Sequence, residues 1–313
     1  MTELHVHLDG SMRPVSVWEM AAAQGTALPV QNAEQLAEIL QAPADCTDLN
    51  EYLKCFDLPL TVLQEPESLI QAMKELVQDM SADGVTVGEI RFAPQLHTEK
   101  GYTQPEIVQA ALEGLRQGKV LCPNFHGSLI LCCMRGQDNR KANEETLRTA
   151  SAFLGSGVCA ADLAGAEALF PTCAFEDLFA MARRMDIPFT IHAGEAAGPE
   201  SIRDALRLGA RRIGHGVRAI EDPALCAELA RQKIPLEVCV TSNLQTRAFP
   251  EGTVHPVKKL FDMGIHVTVN TDNRTVSHTT MTQERRLLAD SFGFTDKELN
   301  IMEEYAREGR FLS

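Results

Sequence analysis

Residues 3–10, ELHVHLDG, set two histidines two positions apart in a short apolar run at the start of the chain. Alternate side chains of a β-strand share a face, so His5 and His7 can reach one metal ion while Val6 and Leu8 point the other way. Any further ligands must come from far along the chain, which calls for a fold that gathers the ends of several strands. Downstream runs meet that need. Strand-like segments read at 3–8, 85–92, 128–134, 158–164, 188–193, 212–216, 234–240 and 265–272, each ending in polar or glycine residues and each followed by a helical pattern. Repeated β-α units of this kind surround a parallel sheet. Eight of them in 313 residues predict an α/β chain folded as a (β/α)8 TIM barrel over residues 1–313, with its site at the C-terminal ends of the strands. An open doubly wound sheet would need a glycine-rich phosphate turn after the first strand, and HLDGSMRP is a poor one.

Composition narrows the function. With 44% apolar residues the chain can bury a full core. Against 43 acidic residues stand 29 basic ones, a net charge of −14, and no Lys/Arg run suggests a groove for a polyanion, so neither nucleic acid nor an anionic membrane is an expected partner. There is no signal-like start and no apolar run of spanning length, which reads as a soluble, cytoplasmic protein. The nine cysteines read as buried thiols; without any Cys-x-x-Cys pair, a zinc ribbon is excluded.

Punctuation places the helices. Ser16 with Glu19 reads as a capping box and Gly25 as a stop. From 65 to 82, Leu69, Ile70, Met73, Leu76, Val77 and Met80 fall at helical spacing, with Gly84 beyond them. Gly209 and Gly264 close two later helices, and Thr295 with Glu298 opens a C-terminal one. About 75 residues separate the first two strands, far more than one helix needs, and predict a helical insertion over the barrel mouth. In it, Asp48 reads as an N-cap, followed by the stripe Leu49, Tyr52, Leu53, Phe56 and Leu60, which either packs the insertion down or roofs a ligand.

Chemistry collects at the strand ends. The fifth strand ends in HAGE, delivering His192, with Glu195 in the loop beyond; the sixth ends in RIGHG, with His215 between two glycines; the eighth ends in VTVNTDN, delivering Asp272 and then Asn273. His5, His7, His192 and Asp272 form a nitrogen and oxygen set suited to zinc, which lowers the pKa of water from about 15.7 towards about 7. His215 then sits outside the ligand set as base or electrostatic partner of that water. Glu195 is the candidate proton donor, provided a closed apolar site raises its pKa. His266 is expected at the barrel floor, His97, His126, His255 and His278 as surface or loop-anchoring residues, and Glu89 with Arg91 in an interior ion pair.

Taken together, HVHLDGS, IRFAP, DLAGAE, HAGE, RIGHG, TSN and NTDN, in this order from Glu3 to about Glu284, resemble the adenosine deaminase family, especially its bacterial members. The resemblance implies a zinc-dependent barrel amidohydrolase that attacks carbon 6 of a purine nucleoside and releases ammonia. It implies His5, His7, His192 and Asp272 as zinc ligands, Glu195 as donor to ring nitrogen 1, and His215 as partner of the metal's water. Gly165 would contact ring nitrogen 3 through its backbone, and Asp9 would hold the ribose end. Many members carry a second aspartate where this chain has Asn273, in a role that donates to ring nitrogen 7. An amide donates at any pH, so Asn273 is chemically adequate. Val240 replaces a common proline before TSN, with only a local backbone change expected. The paired signature of the cytidine-type deaminases, His-x-Glu followed by Pro-Cys-x-x-Cys, does not occur, because no Pro-Cys-x-x-Cys is present. Two alternatives stay open: a related aminopurine as substrate (adenine, a modified adenosine or an aminofutalosine-type nucleoside), or a nucleoside-binding protein that has lost the reaction.

Overall fold

The alternation read in the first strand recurs around a closed ring. The computed structural model describes residues 1–250 and 252–311. Among them are eight parallel strands: β1 (Thr2–His7), β2 (Val87–Phe92), β3 (His126–Met134), β4 (Val158–Ala164), β5 (Thr190–Ala193), β6 (Arg212–His215), β7 (Leu236–Val238) and β8 (Val267–Val269). They pair in sequence order as two four-stranded arcs. Two seams join the arcs. Ala161 bridges to Phe189, with its N–H donating to Pro188 O at 2.9 Å. Asp272 N–H donates to His5 O at 2.9 Å, and Asp272 O accepts from His7 N–H at 2.7 Å. The predicted barrel therefore closes, which rules out the open sheet.

β8 stops short of the predicted 265–272, and the cause is local. Asp272 has φ 62°, a left-handed conformation that cannot continue a ladder, so it rejoins β1 only as a single bridge.

Outward faces of the strands make the main apolar core against the helices: Val6, Leu8, Ile90, Phe92, Leu129, Leu131, Leu163, Ile191, Ile213, Leu236 and Val267 all belong to it. The inward faces are ionic. Arg91 Nη1 lies 2.9 Å from Asp162, Arg91 Nη2 2.8 Å from Glu237, and Arg212 Nε 2.6 Å from Glu237, while Arg212 Nη1 also pairs with Glu89. The interior pairing expected of Glu89 and Arg91 is present, with each bonded to a partner on another strand rather than to the other.

The insertion between β1 and β2 holds helices Pro14–Gln24, Ala33–Ile39, Leu49–Leu53, Asp57–Val62 and Pro66–Ala82. Asp48 caps Leu49–Leu53 by accepting from Glu51 N–H. Gly25 (φ 67°) ends the first helix as expected, and Thr295 with Glu298 forms the C-terminal capping box. The Ser16/Glu19 capping box does not form. Pro14, with its fixed φ and no N–H to satisfy, starts the helix earlier, leaving Ser16 inside it to bond Glu75 at 2.6 Å. The stripe at 49–60 is not one helix either, since a 3-10 turn, Lys54–Phe56, interrupts it. No helix among the described residues is long and apolar enough to cross a membrane. All nine cysteines are unpaired; Cys173 is exposed and Cys122 half-buried, the rest buried.

Of the five histidines expected outside the site, three depart from or refine their expected places. His126 and His278 are exposed, as predicted. His266 stands just before β8 but stacks on Tyr305 of the C-terminal helix, ring centroids 3.8 Å apart. His255 is buried. His97 is wholly buried, its Nδ1 2.9 Å from Leu63 O and its ring against Phe92.

Burial pushes the His97 pKa down to about 4, below the ordinary 6.5. The folded state thus takes up this proton less readily than the unfolded chain. Its contribution to stability is complete above pH 6.5 and is lost as pH falls towards 4, a change of about 2–3 kcal/mol. In urea unfolding, the stability gap between wild type and His97→Gln should narrow by about that amount from pH 7 to pH 4.5. An equal gap at both values would show that His97 does not couple folding to pH.

Candidate metal centre and catalytic pocket

At the C-terminal end of the barrel the four expected ligands meet. Nε2 of His7 and of His192 are 3.2 Å apart; Asp272 Oδ1 is 3.3 Å from His5 Nε2 and 3.4 Å from His7 Nε2. One ligand atom from each of the four lies within 4.8 Å of the others. Metal–nitrogen bonds of 2.0–2.1 Å in a tetrahedron would put ligand atoms about 3.3 Å apart, so these separations suit a first-row divalent ion. Three further observations support the fit. His5 Nε2 is buried with no hydrogen-bond partner among the described residues. Burial holds His5 at about 4 and His7 well below its ordinary pKa, so both are neutral and keep a lone pair for a metal. Among the described residues, Asp162, Glu237 and Glu89 pair with the guanidinium groups of Arg91 and Arg212 while Asp272 meets imidazoles instead, an acidic interior suited to a divalent ion.

The far side of each ring is also held. His5 Nδ1 is 2.9 Å from Glu237 Oε2, and His192 Nδ1 is 2.9 Å from Asp162 Oδ2. A carboxylate at Nδ1 fixes that proton and turns Nε2 towards the metal. Burial opposes charge on Asp162 and Glu237, yet neighbouring cationic groups, Arg91 among them, hold both well below the usual carboxylate range. Asp272 Oδ2 accepts from Ser242 at 2.6 Å, leaving Oδ1 for the centre.

Glu195 and His215 stand beside this set, with His215 Nε2 3.4 Å from Glu195 Oε2. Alternation along β6 would send His215 outward with Ile213; its left-handed backbone, φ 59°, turns it into the site. Burial raises the Glu195 pKa, Asp272 adds to the rise and His215 opposes it, so the carboxyl retains its proton to higher pH than an exposed glutamate. The loop carrying Glu195 is gripped by Glu167. Its carboxylate accepts from the N–H groups of Gly194, Glu195, Ala196 and Ala197 at 2.7–3.1 Å and from the Ser201 hydroxyl.

A cavity of about 190 Å³ opens beside these groups, lined also by Asp9, Gly165 and Asn273. Leu49, Tyr52, Leu53, Phe56 and Leu60 of the insertion line it too, so the stripe roofs the site. A larger, open groove around Leu112 and Val120 lies away from the ligand set. Asn273 donates through Nδ2 to the Tyr52 hydroxyl at 3.0 Å, and Gly10 is required beside it: a Cβ there would lie 1.9 Å from Asn273 Oδ1. Gly165 has φ 102°, a conformation that L side chains rarely adopt.

Every residue singled out in the sequence as a site candidate is thus in one place. Sequence reading missed Asp162, Glu237, Glu167, Ser242, Asn243, Thr246 and the Tyr52 hydroxyl. Asp162 and Glu167 open and close DLAGAE, and Ser242 and Asn243 sit in TSN, so the motifs were visible while the contacts were not.

A closed parallel barrel with three imidazoles and a carboxylate converging at the strand ends defines a metal-dependent hydrolase of the amidohydrolase type. The family model described as adenosine deaminase matches residues 1–313. The chain belongs to the adenosine deaminase family. It is 49% identical over 299 residues to the adenosine deaminase of Haemophilus ducreyi, covering 95% of this chain and 87% of that protein. With the adenosine deaminase of Enterococcus faecalis identity is 43% over 313 residues, covering 99% and 91%. Among solved structures, the adenine deaminase of Arthrobacter aurescens superposes with a TM-score of 0.91 at 26% identity, covering 100% of this chain and 94% of that one. The Arabidopsis N6-mAMP deaminase shares the fold at a TM-score of 0.86 and 24% identity, with 100% and 93% covered.

Removing the carboxylate behind His192 should loosen the centre without touching a ligand. Asp162→Asn is expected to weaken metal affinity roughly 10- to 100-fold, read by competition with a chelator. Unchanged affinity would mean that Asp162 serves only the Arg91 pair.

Proposed function

We propose that the chain is a zinc enzyme that hydrolyses adenosine and 2′-deoxyadenosine to inosine and 2′-deoxyinosine with release of ammonia, a reaction of purine salvage in the cytoplasm. The observation that carries this reading is the convergence of His5, His7, His192 and Asp272 beside the buried acid Glu195, in a chain whose relatives in Haemophilus ducreyi and Enterococcus faecalis are named adenosine deaminases. The donor set of three imidazoles and one carboxylate suits zinc among the common divalent ions.

The chemistry a bound zinc supplies is water of lowered pKa, from about 15.7 towards about 7. The remaining work falls to the chain. Glu195, whose protonated form burial favours, donates to ring nitrogen 1 as carbon 6 is attacked, which draws charge off the ring. His215 is the partner of the attacking water. The Gly165 backbone faces ring nitrogen 3, and the amide of Asn273 donates to ring nitrogen 7 with the N–H not given to Tyr52. Asp9 accepts from ribose hydroxyls, which favours a nucleoside over a free base. Leu53, Phe56 and Leu60 cover the base and exclude bulk water.

Charge argues for an unphosphorylated substrate. No Lys or Arg lines the cavity among the described residues, whereas Asp9 and Asp57 do, so a phosphate would meet like charge and no counter-ion.

The test is Glu195→Gln, which keeps shape and hydrogen bonding but loses the proton. Metal content and binding of a ground-state nucleoside should persist, while kcat on adenosine falls at least about 100-fold, followed by the ultraviolet change from adenosine to inosine. Turnover near that of the wild type would remove Glu195 from the reaction.

A further inference from the structure

Asn243 sits where the acid and the second histidine meet, and its whole hydrogen-bonding capacity is committed. Nδ2 lies 3.2 Å from Glu195 Oε1 and 3.0 Å from His215 Nδ1, one N–H for each, and Oδ1 lies 3.4 Å from His255 Nε2. An amide can be rotated by half a turn with little change of shape, so something must decide which end faces the acid. His255 decides it. Its Nδ1 accepts from Val257 N–H at 3.2 Å, so in the neutral ring the proton is on Nε2, and Nε2–H can only donate to Asn243 Oδ1. The ring is buried between Phe249 and Phe292, whose centroids lie 5.8 and 6.0 Å away, which leaves little room for water to replace it. Burial also pushes its pKa down to about 4, so a single N–H is present at neutral pH.

We propose that His255 and Asn243 are positioning residues that relay one backbone N–H into the protonation pattern of the site, holding His215 as its Nε2–H tautomer and the Glu195 proton on Oε2. This rests on the roles of Glu195 and His215 given above. With the Asn243 amide fixed, His215 Nδ1 receives an N–H and must be the unprotonated nitrogen, so the ring proton lies on Nε2, the atom 3.4 Å from Glu195 Oε2. Glu195 Oε1 receives both Asn243 and the Thr246 hydroxyl, the latter at 2.9 Å, so the carboxyl proton belongs to Oε2. His215 then begins each turnover as a hydrogen-bond donor at Nε2, which makes it the electrostatic partner rather than the base. If the relay is cut and the amide turns over, Oδ1 faces two acceptors, and His215 is driven to the other tautomer to satisfy it.

The experiment uses the metal-loaded enzyme labelled with 15N in its histidine rings, the His215 signals being identified by their loss in His215→Asn. In two-bond 1H–15N spectra the unprotonated nitrogen of a neutral ring resonates far downfield of the protonated one, so the tautomer is read directly. Wild type and His255→Gln, whose amide can take the place of Nε2–H, should both show the His215 proton on Nε2. His255→Phe, which keeps the shape, and Asn243→Asp, which replaces the donor by an acceptor, should move it to Nδ1 or divide it between the two. Both should lower kcat roughly 10- to 100-fold with KM on adenosine changed less than about threefold, and His255→Gln should restore it. Asn243→Asp changes one group and carries the same test if His255→Phe does not fold. A wild-type His215 protonated on Nδ1, or variants that keep its ring pattern or its kcat, would overturn the relay. The expected ring pattern in a chain that does not turn over adenosine would support the relay and sink the substrate assignment instead.

Discussion

The carboxylate of Glu237 is the point through which the barrel and the metal centre are joined. One oxygen is shared between His5 Nδ1 and Arg91, and the other takes Arg212 and Thr190, all inside a space closed to water. Asp162 does the same on the other side, between Arg91 and His192. Buried ion pairs are seldom worth more to stability than apolar residues of equal volume, because both charges must be desolvated first. Their value here lies in direction. Fixed from behind, two imidazoles from strands on opposite arcs present Nε2 to one point, and rotating either ring would give up its contact with a buried carboxylate. The direction of these two imidazoles is thus set by the ionic interior beneath them.

Loops complete what the strands begin, and each is tied by groups that are not themselves chemical. Glu167 gathers four consecutive peptide N–H groups, so the loop after β5 has one shape and Glu195 one place. The roof is tied to the eighth strand's loop by the Tyr52 hydroxyl, which meets both Asn273 and Ser277. His215 and Asp272 both take left-handed backbone conformations, a strain of order 1–3 kcal/mol each, tolerated because neighbouring bonds leave no alternative. Strain at these two residues is what aims an imidazole and a carboxylate across the grain of the strands.

Much of this was legible beforehand for a simple reason. The period of two in a strand, the punctuation of helices by proline and glycine, and the appearance of polar residues at strand ends are local properties. His5, His7, His192 and Asp272 each announce themselves within a few residues of their own apolar run, and eight such runs imply closure. Capping was less secure. Thr295 with Glu298 formed the box its pattern suggests, whereas Ser16 with Glu19 did not, because Pro14 upstream offered an earlier start. Val240, in place of a proline, keeps an N–H that bonds Glu284, a contact that its spacing alone does not reveal.

What the chain order determined by itself is the barrel, the four candidate ligands that converge at its mouth and the presence of an insertion after the first strand. Only the tertiary structure decided that Tyr52 of that insertion would bind Asn273, that Glu167 would hold the acid's loop, and that His255, read as a loop residue, would be buried against Asn243. Their partners lie from 12 to 221 positions away in the chain. Hydrogen bonds of this kind depend on the angle at which loops arrive after the ring has closed, and no local periodicity encodes that angle.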